Sequence, residues 1–123
     1  LVTAGTTPAA EINVKLSGDQ EVPPVQTQAS GSGTIKINDD KSVSGHISTT
    51  GMKPTAAHIH QAPAGKNGPV DVPLEKTSDH EFMVPAGAKL NDAQYQAFKA
   101  GNLYVNVHSA ANKGGEIRAQ IKP

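Results

Sequence analysis

Short runs in which apolar and polar residues alternate recur along the chain. In the first run, Ile12, Val14 and Leu16 alternate with polar side chains, a pattern typical of a β-strand with one buried face. Comparable runs, separated by turn-rich segments, predict further strands at residues 33–38, 42–49, 56–61, 70–74, 81–84, 102–109 and 116–121. The pattern therefore predicts an all-β domain of about seven to eight antiparallel strands, arranged as a Greek-key barrel or sandwich.

One segment departs from this alternation. Residues 92–100 are predicted to form a short helix, because Asn91 can cap its start, Gln94 can complete a capping box and Gly101 can end it. Residues 1–10 show no periodicity, and we expect a flexible N-terminal tail there. Residues 11–123 then form a single domain, since the chain is too short for two.

The composition narrows the range of functions. Basic and acidic residues are equal in number, 11 of each, so no charge surplus would attract nucleic acid or an anionic membrane. No apolar run approaches the roughly 20 residues that span a bilayer, so we expect no membrane insertion. The chain has no cysteine, which leaves histidine and carboxylate as the strong metal ligands. The sequence begins without Met, in a stretch of small, uncharged residues. We therefore expect a mature periplasmic or secreted chain whose signal peptide has been removed.

Three histidines in two of the predicted strands are the most informative residues. His58 and His60 leave the same face of one strand about 6.6 Å apart, while Ile59 faces the core. His108 ends another predicted strand. If the two strands are neighbours, the three imidazoles converge, and a His-x-His pair with a third histidine is a minimal site for a first-row metal ion.

Other residues could complete or support such a site. Tyr104 and Asn106 share the face of His108 and could fix the orientation of the ligand rings. A fourth ligand could come from His80, a methionine, a carboxylate such as that of Glu21, or water.

For several of these candidates a plainer interpretation is preferred. His46 is expected to point outward from its strand, and Met52 and Met83 are expected to fill the core. Glu21 is expected to stabilise the turn beside Pro23.

Several stretches distributed over residues 12–122 resemble the chordin-type (CHRD) domain family. They are QEVPPV at 20–25, AHIH at 57–60 with GKNGPV at 65–70, GNLYVNVH at 101–108, and GGEIR at 114–118. The family occurs in secreted and envelope-associated proteins, so the resemblance implies an extracytoplasmic location.

A more distant likeness is to Cu,Zn superoxide dismutase, in which a glycine-containing strand precedes a His-x-His copper pair. VSGHI at 43–47 followed by AHIH at 57–60 is similar to that arrangement. The likeness implies that His58 and His60 are copper ligands, that His108 matches a further copper histidine, and that Arg118 matches an active-site arginine. The bridging histidine, the zinc ligands and the disulfide of that enzyme have no clear match here, so the likeness implies a copper-like site on a barrel rather than dismutation.

The resulting prediction is a secreted or periplasmic protein with a surface copper site formed by His58, His60 and His108. Its function would be copper binding, storage or delivery, with a copper donor or acceptor protein as a partner; zinc accepts the same ligands. Two alternatives stay open. One is a mononuclear copper oxidoreductase in which Arg118 guides a small anion, and the other is a metal-free module that binds proteins or ligands. In the plainer interpretation, Arg118 pairs with a carboxylate or binds loop carbonyls on the barrel surface.

Overall fold

A computed structural model describes residues 10–123 of the chain. Its strands are β1 (Ala10–Ser17), β2 (Ser30–Ile37), β3 (Val43–Thr50), β4 (Pro54–Gln61), β5 (Val70–Pro73), β6 (Glu75–Ser78), β7 (Glu81–Met83), β8 (Leu103–Ser109) and β9 (Ile117–Ile121). A short 3-10 helix (Gly18–Gln20) follows β1, and the α-helix α1 (Asp92–Lys99) lies between β7 and β8.

The strands form one antiparallel sheet in the order β5-β4-β8-β9-β1-β2-β3-β7-β6. Strands β5 and β6 stand at the two ends of this order, yet only Leu74 separates them in the chain. The chain therefore passes directly from one edge of the sheet to the other. Across this junction the Lys76 ammonium donates a hydrogen bond to the Pro54 carbonyl (2.9 Å), and the sheet curls into a nearly closed barrel.

The predicted fold class is confirmed, although the described residues contain nine strands rather than seven or eight. The extra strand is β6, whose four residues are all exposed and include no apolar side chain, so it carries no alternation. The capping box between Asn91 and Gln94 is present, and Gly101 follows α1 with φ of +80°. Strand β1 begins at Ala10, the last residue of the predicted tail; the rest of that tail, residues 1–9, lies outside the described residues.

Alternate side chains of most strands fill the interior of the barrel. The fully buried ones include Ile35, Ile47, Ile59, Val105 and Ile117, one from each of five strands. Burying these β-branched side chains stabilises the fold by about 2 kcal/mol each.

The expectations for the methionines and for His46 have different outcomes. Met52 fills the core as predicted, but Met83 is 54% exposed. The prediction for Met83 is wrong because Phe82 takes the inward position of β7, so the next residue must face solvent. His46 is exposed, as predicted.

Loops also cover part of the outer face of the barrel. Tyr104 and Asn106 on β8 and Arg118 on β9 point away from the core, yet each is at most 2% exposed. Residues 62–69 contact Tyr104 and Arg118, whereas Glu21, Gly114 and Gly115 lie against Asn106. Asn67 in the 62–69 loop also donates a hydrogen bond to the Val22 carbonyl (2.8 Å). Within residues 10–123, no helix has the length and apolar content needed to cross a membrane.

Candidate metal centre

Strands β4 and β8 are antiparallel neighbours, and their register brings the three candidate histidines together. His58 is paired with Asn106, His60 with Tyr104, and His108 with Ala56. Because side chains alternate along a strand, all three histidines extend from the outer face. The intervening Ile59 is completely buried on the inner face.

The imidazoles of His58, His60 and His108 offer nitrogens that all lie within 4.8 Å of one another. The Nδ1 of His58 and the Nε2 of His108 are 3.0 Å apart. Metal–nitrogen bonds of about 2.0–2.1 Å place ligand nitrogens about 3.3–3.6 Å apart in trigonal or tetrahedral geometry. Small ring rotations would therefore bring the three nitrogens onto one ion.

Hydrogen bonds to loop carbonyls fix the tautomers of two of these rings. His60 donates from Nδ1 to the Gly68 carbonyl (3.0 Å), and His108 donates from Nδ1 to the Lys113 carbonyl (2.8 Å). Since a carbonyl only accepts, Nδ1 carries the proton in both rings and Nε2 keeps its lone pair. Because Nε2 of His108 has no proton, the hydrogen bond between the two rings is donated by His58 Nδ1. That proton must leave before His58 Nδ1 can bind a metal.

Tyr104 packs against the His60 ring by stacking rather than by the donated hydrogen bond that the sequence suggested. The two rings are stacked, with centroids 4.8 Å apart and an interplanar angle of 2°. The Tyr104 hydroxyl also accepts a hydrogen bond from the Gly68 amide (3.1 Å), whose carbonyl binds His60. A Cβ on Gly68 would lie 1.8 Å from the Gln61 carbonyl oxygen, so only glycine fits at this position.

Arg118 is 1% exposed and does not reach the surface. Its guanidinium donates hydrogen bonds to the Lys66 carbonyl (2.6 Å) and to Asn67 Oδ1 (3.0 Å), and its Cζ lies 3.4 Å from the Tyr104 ring centroid. Binding to a loop carbonyl agrees with the sequence prediction, but the surface position was wrong because residues 62–69 cover the side chain. The same contacts leave the guanidinium closed to solvent, so it cannot guide an anion to the histidines in this arrangement.

The predicted surface site is also partly covered. His60 is only 8% exposed, whereas His58 and His108 are half-buried. Burial lowers the pKa of both His58 and His60, and the charge of His108 lowers each pKa further. Low imidazole pKa values favour the neutral rings that a metal requires.

Four buried side-chain atoms lack a hydrogen-bond partner within residues 10–123. They are Glu21 Oε2, His60 Nε2, Asp71 Oδ2 and Asn106 Oδ1. Burial raises the pKa of Glu21 to about 7, while Arg118 and a hydrogen bond from Asn106 act in the opposite direction. Burial also raises the pKa of Asp71, against the influence of a Gln94 hydrogen bond and of His60. Unpaired buried acceptors are costly, and a cation or a hydrogen-bond donor beside them would satisfy them.

Sequence reasoning missed part of this environment. Asp71 sits between two valines in a strand, which gives no sign of a role near His60. Glu21 is 4% exposed and faces Asn106 rather than serving only the turn at Pro23. Gly68 acts through its backbone, which the sequence does not mark.

The remaining histidines are not part of the cluster. His46 is opposite Met83 in the β3–β7 pair. His80 lies in the turn before β7 and lines a separate cavity of about 340 Å³ with Lys53 and Asp79. The structure therefore does not bring His80 to the three imidazoles, as its proposed role of fourth ligand would need.

A groove gives solvent access to the centre. It has a volume of about 460 Å³, and His58 and His108 form part of its wall together with Thr55, Ala56 and Lys113. A ligand or a partner's side chain could approach the nitrogens from this side.

Residues 12–121 match the family model described as the CHRD domain. No curated protein and no solved structure matches the chain. The matched range runs from β1 to the end of β9 and includes the three histidines.

Proposed function

The chain belongs to the CHRD domain family, whose domains are typically extracellular, and we propose that it binds copper through His58, His60 and His108. Its function is to bind, store or deliver the ion in the periplasm or after secretion, in exchange with a copper donor or acceptor protein.

One observation carries this proposal: three imidazoles with nitrogens within 4.8 Å of one another share the outer face of two paired strands. Three imidazoles this close repel one another when they are protonated, and a shared metal ion bound to the neutral rings removes that cost. The carbonyls that hold the Nδ1 protons of His60 and His108 leave Nε2 of each ring unprotonated, which is the support that ligand imidazoles usually have.

Among first-row divalent metal ions, three imidazoles favour copper. Imidazole suits copper, zinc, iron and nickel, and the affinity of a given site for divalent ions is highest for copper. Zinc accepts the same three imidazoles with an open fourth position, so the experiment must compare both ions.

The test uses protein purified without a histidine tag and freed of metal by a chelator. Titration with copper and with zinc, followed by metal analysis after desalting, should give one copper per chain and a higher affinity for copper. His60→Ala should abolish tight uptake and leave the fold intact, because the side chain points away from the core.

His46→Ala and His80→Ala are matched controls, since each removes one exposed histidine outside the cluster and should leave copper uptake unchanged. A triple alanine variant of His58, His60 and His108 that binds copper as tightly as the parent protein would show that the site is wrong. Binding of zinc in preference to copper would refute the choice of metal but not the site.

A further inference from the structure

Asn106 occupies a central position beside the three histidines. It lies on β8 directly opposite His58 and two residues before His108, and its side chain extends from the same outer face. The side chain is 2% exposed, so its amide has to find its partners inside the protein.

The amide nitrogen of Asn106 faces away from the histidines. It donates a long hydrogen bond to the Gly114 carbonyl (3.4 Å), and both it and the Glu21 carboxylate lie against Gly115. A Cβ on Gly115 would lie 2.4 Å from both Asn106 Nδ2 and Glu21 Oε2, so glycine is needed for the two groups to approach each other. Both neighbours of Nδ2 accept hydrogen bonds, and this assigns the NH₂ group to their side.

The amide oxygen of Asn106 is then left on the side of the histidines. Asn106 and His60 extend from the same outer face of the paired strands β4 and β8, and both side chains are buried. Because Nδ1 of His60 is bonded to Gly68, the nitrogen left over is Nε2. Within residues 10–123, neither His60 Nε2 nor Asn106 Oδ1 has a hydrogen-bond partner. Two unsatisfied acceptors buried on one face require a cation or a proton beside them.

We propose that Asn106 Oδ1 is a fourth ligand of the metal ion, oriented by Glu21 and Gly114. This inference rests on the proposed function, since it extends the three-histidine site by one oxygen. An amide oxygen is a hard, neutral donor, which suits divalent ions better than Cu(I). The site therefore holds copper as Cu(II) more tightly than a site of three imidazoles alone would.

The experiment compares Asn106→Ala with Asn106→Asp, which keeps an oxygen at the same position. Affinities for Cu(II) and, under anaerobic reduction, for Cu(I) are measured by competition with chromophoric chelators, and the Cu(II) forms are compared by EPR. Asn106→Ala should weaken Cu(II) binding about tenfold or more and change Cu(I) binding by less than about threefold. It should also alter the copper hyperfine splitting. Asn106→Asp should retain the Cu(II) affinity.

Asn13→Ala, which removes an exposed strand asparagine on β1, is the matched control and should change neither affinity. Equal weakening of both oxidation states in Asn106→Ala, or an unchanged EPR spectrum, would overturn the proposal and indicate a purely structural role. If Asn106→Ala does not fold, Asn106→Asp tests the proposal alone. Loss of Cu(II) binding in a folded Asn106→Asp protein would contradict an oxygen ligand at this position. If the proposed three-histidine site itself is wrong, the parent protein takes up no copper, and that result is distinct from any effect of the Asn106 variants.

Discussion

Replacing Glu21 by Gln should stabilise the metal-free protein above pH 7 and have little effect near pH 5. Glu21 is 4% exposed, and its pKa is raised to about 7 by burial that outweighs the charge of Arg118 and the Asn106 hydrogen bond. Glutamine has nearly the shape of the protonated acid, so the substitution removes the charge and keeps the packing.

The magnitude follows from the difference between the pKa values of the folded and unfolded states. A pKa of about 7 in the folded protein, in place of the ordinary glutamate value of 4.5, corresponds to about 3 kcal/mol at 1.36 kcal/mol for each unit of pKa. Between pH 4.5 and 7 the folded state binds more protons at Glu21 than the unfolded state does. The contribution of this group to the free energy of unfolding therefore decreases as the pH rises through that range. Glu21→Gln should be up to about 3 kcal/mol more stable than the parent protein at pH 8.5.

The assay is urea unfolding of both proteins in excess chelator at several pH values between 5 and 9. The pKa values of His58 and His60 are lowered, so their contributions to the free energy of unfolding change with pH in the opposite direction. Both histidines are present in both proteins, so these contributions cancel when the two free energies of unfolding are subtracted. Glu11→Gln, on the exposed face of β1, is the control and should show no such trend. A stability difference between Glu21→Gln and the parent that does not vary with pH would refute the reasoning.

Four further predictions concern the same region. Gly115→Ala should lower the free energy of unfolding by at least about 2 kcal/mol, measured by urea titration, because φ is +124° and the new methyl group would meet Glu21 and Asn106. The apparent copper affinity should fall below about pH 6 more steeply than a one-proton process, and an affinity that is flat between pH 7 and 5 would contradict histidine ligation. Tyr104→Phe keeps the ring stack but loses the hydrogen bond to Gly68, and it should weaken copper binding by about tenfold. The control Tyr95→Phe should leave copper binding unchanged. Equal copper affinities of Tyr104→Phe and the parent protein would contradict the orienting role of Tyr104. The copper-loaded protein should dismutate superoxide no faster than a simple copper–peptide complex in a stopped-flow assay, and much faster turnover would favour an oxidoreductase.

The sequence predicted most of the strands because burial of one face leaves a local pattern. The helix was predictable for a similar reason, since Asn91, Gln94 and Gly101 act within one or two turns. Strand β6 was missed because all four of its residues are exposed, and it forms only through pairing with β7 and the closure of the barrel. Met83 was misplaced because a three-residue strand has too few positions to establish which face is buried.

In the candidate site, too, the features set by local sequence were predictable and those set by long-range contacts were not. Period-two alternation was enough to place His58 and His60 on one face. Their distance from His108 depends on the pairing of β4 with β8, two strands that are more than 40 residues apart in the chain and whose register no motif specifies. The groups that hold the rings are backbone carbonyls of Gly68 and Lys113, and a carbonyl is the same in every residue.

Arg118 shows how the environment of a charged residue decides between functions. A cation that is 1% exposed is costly unless its donors are satisfied, and here the Lys66 carbonyl, Asn67 and the Tyr104 ring satisfy them. These contacts fix the loop at residues 62–69 over the Tyr104–His60 stack, so the guanidinium acts on the centre by holding its cover in place. A side chain used in this way is not available to draw an anion from solvent. The groove at His58 and His108 therefore gives access to the centre without any contribution from Arg118.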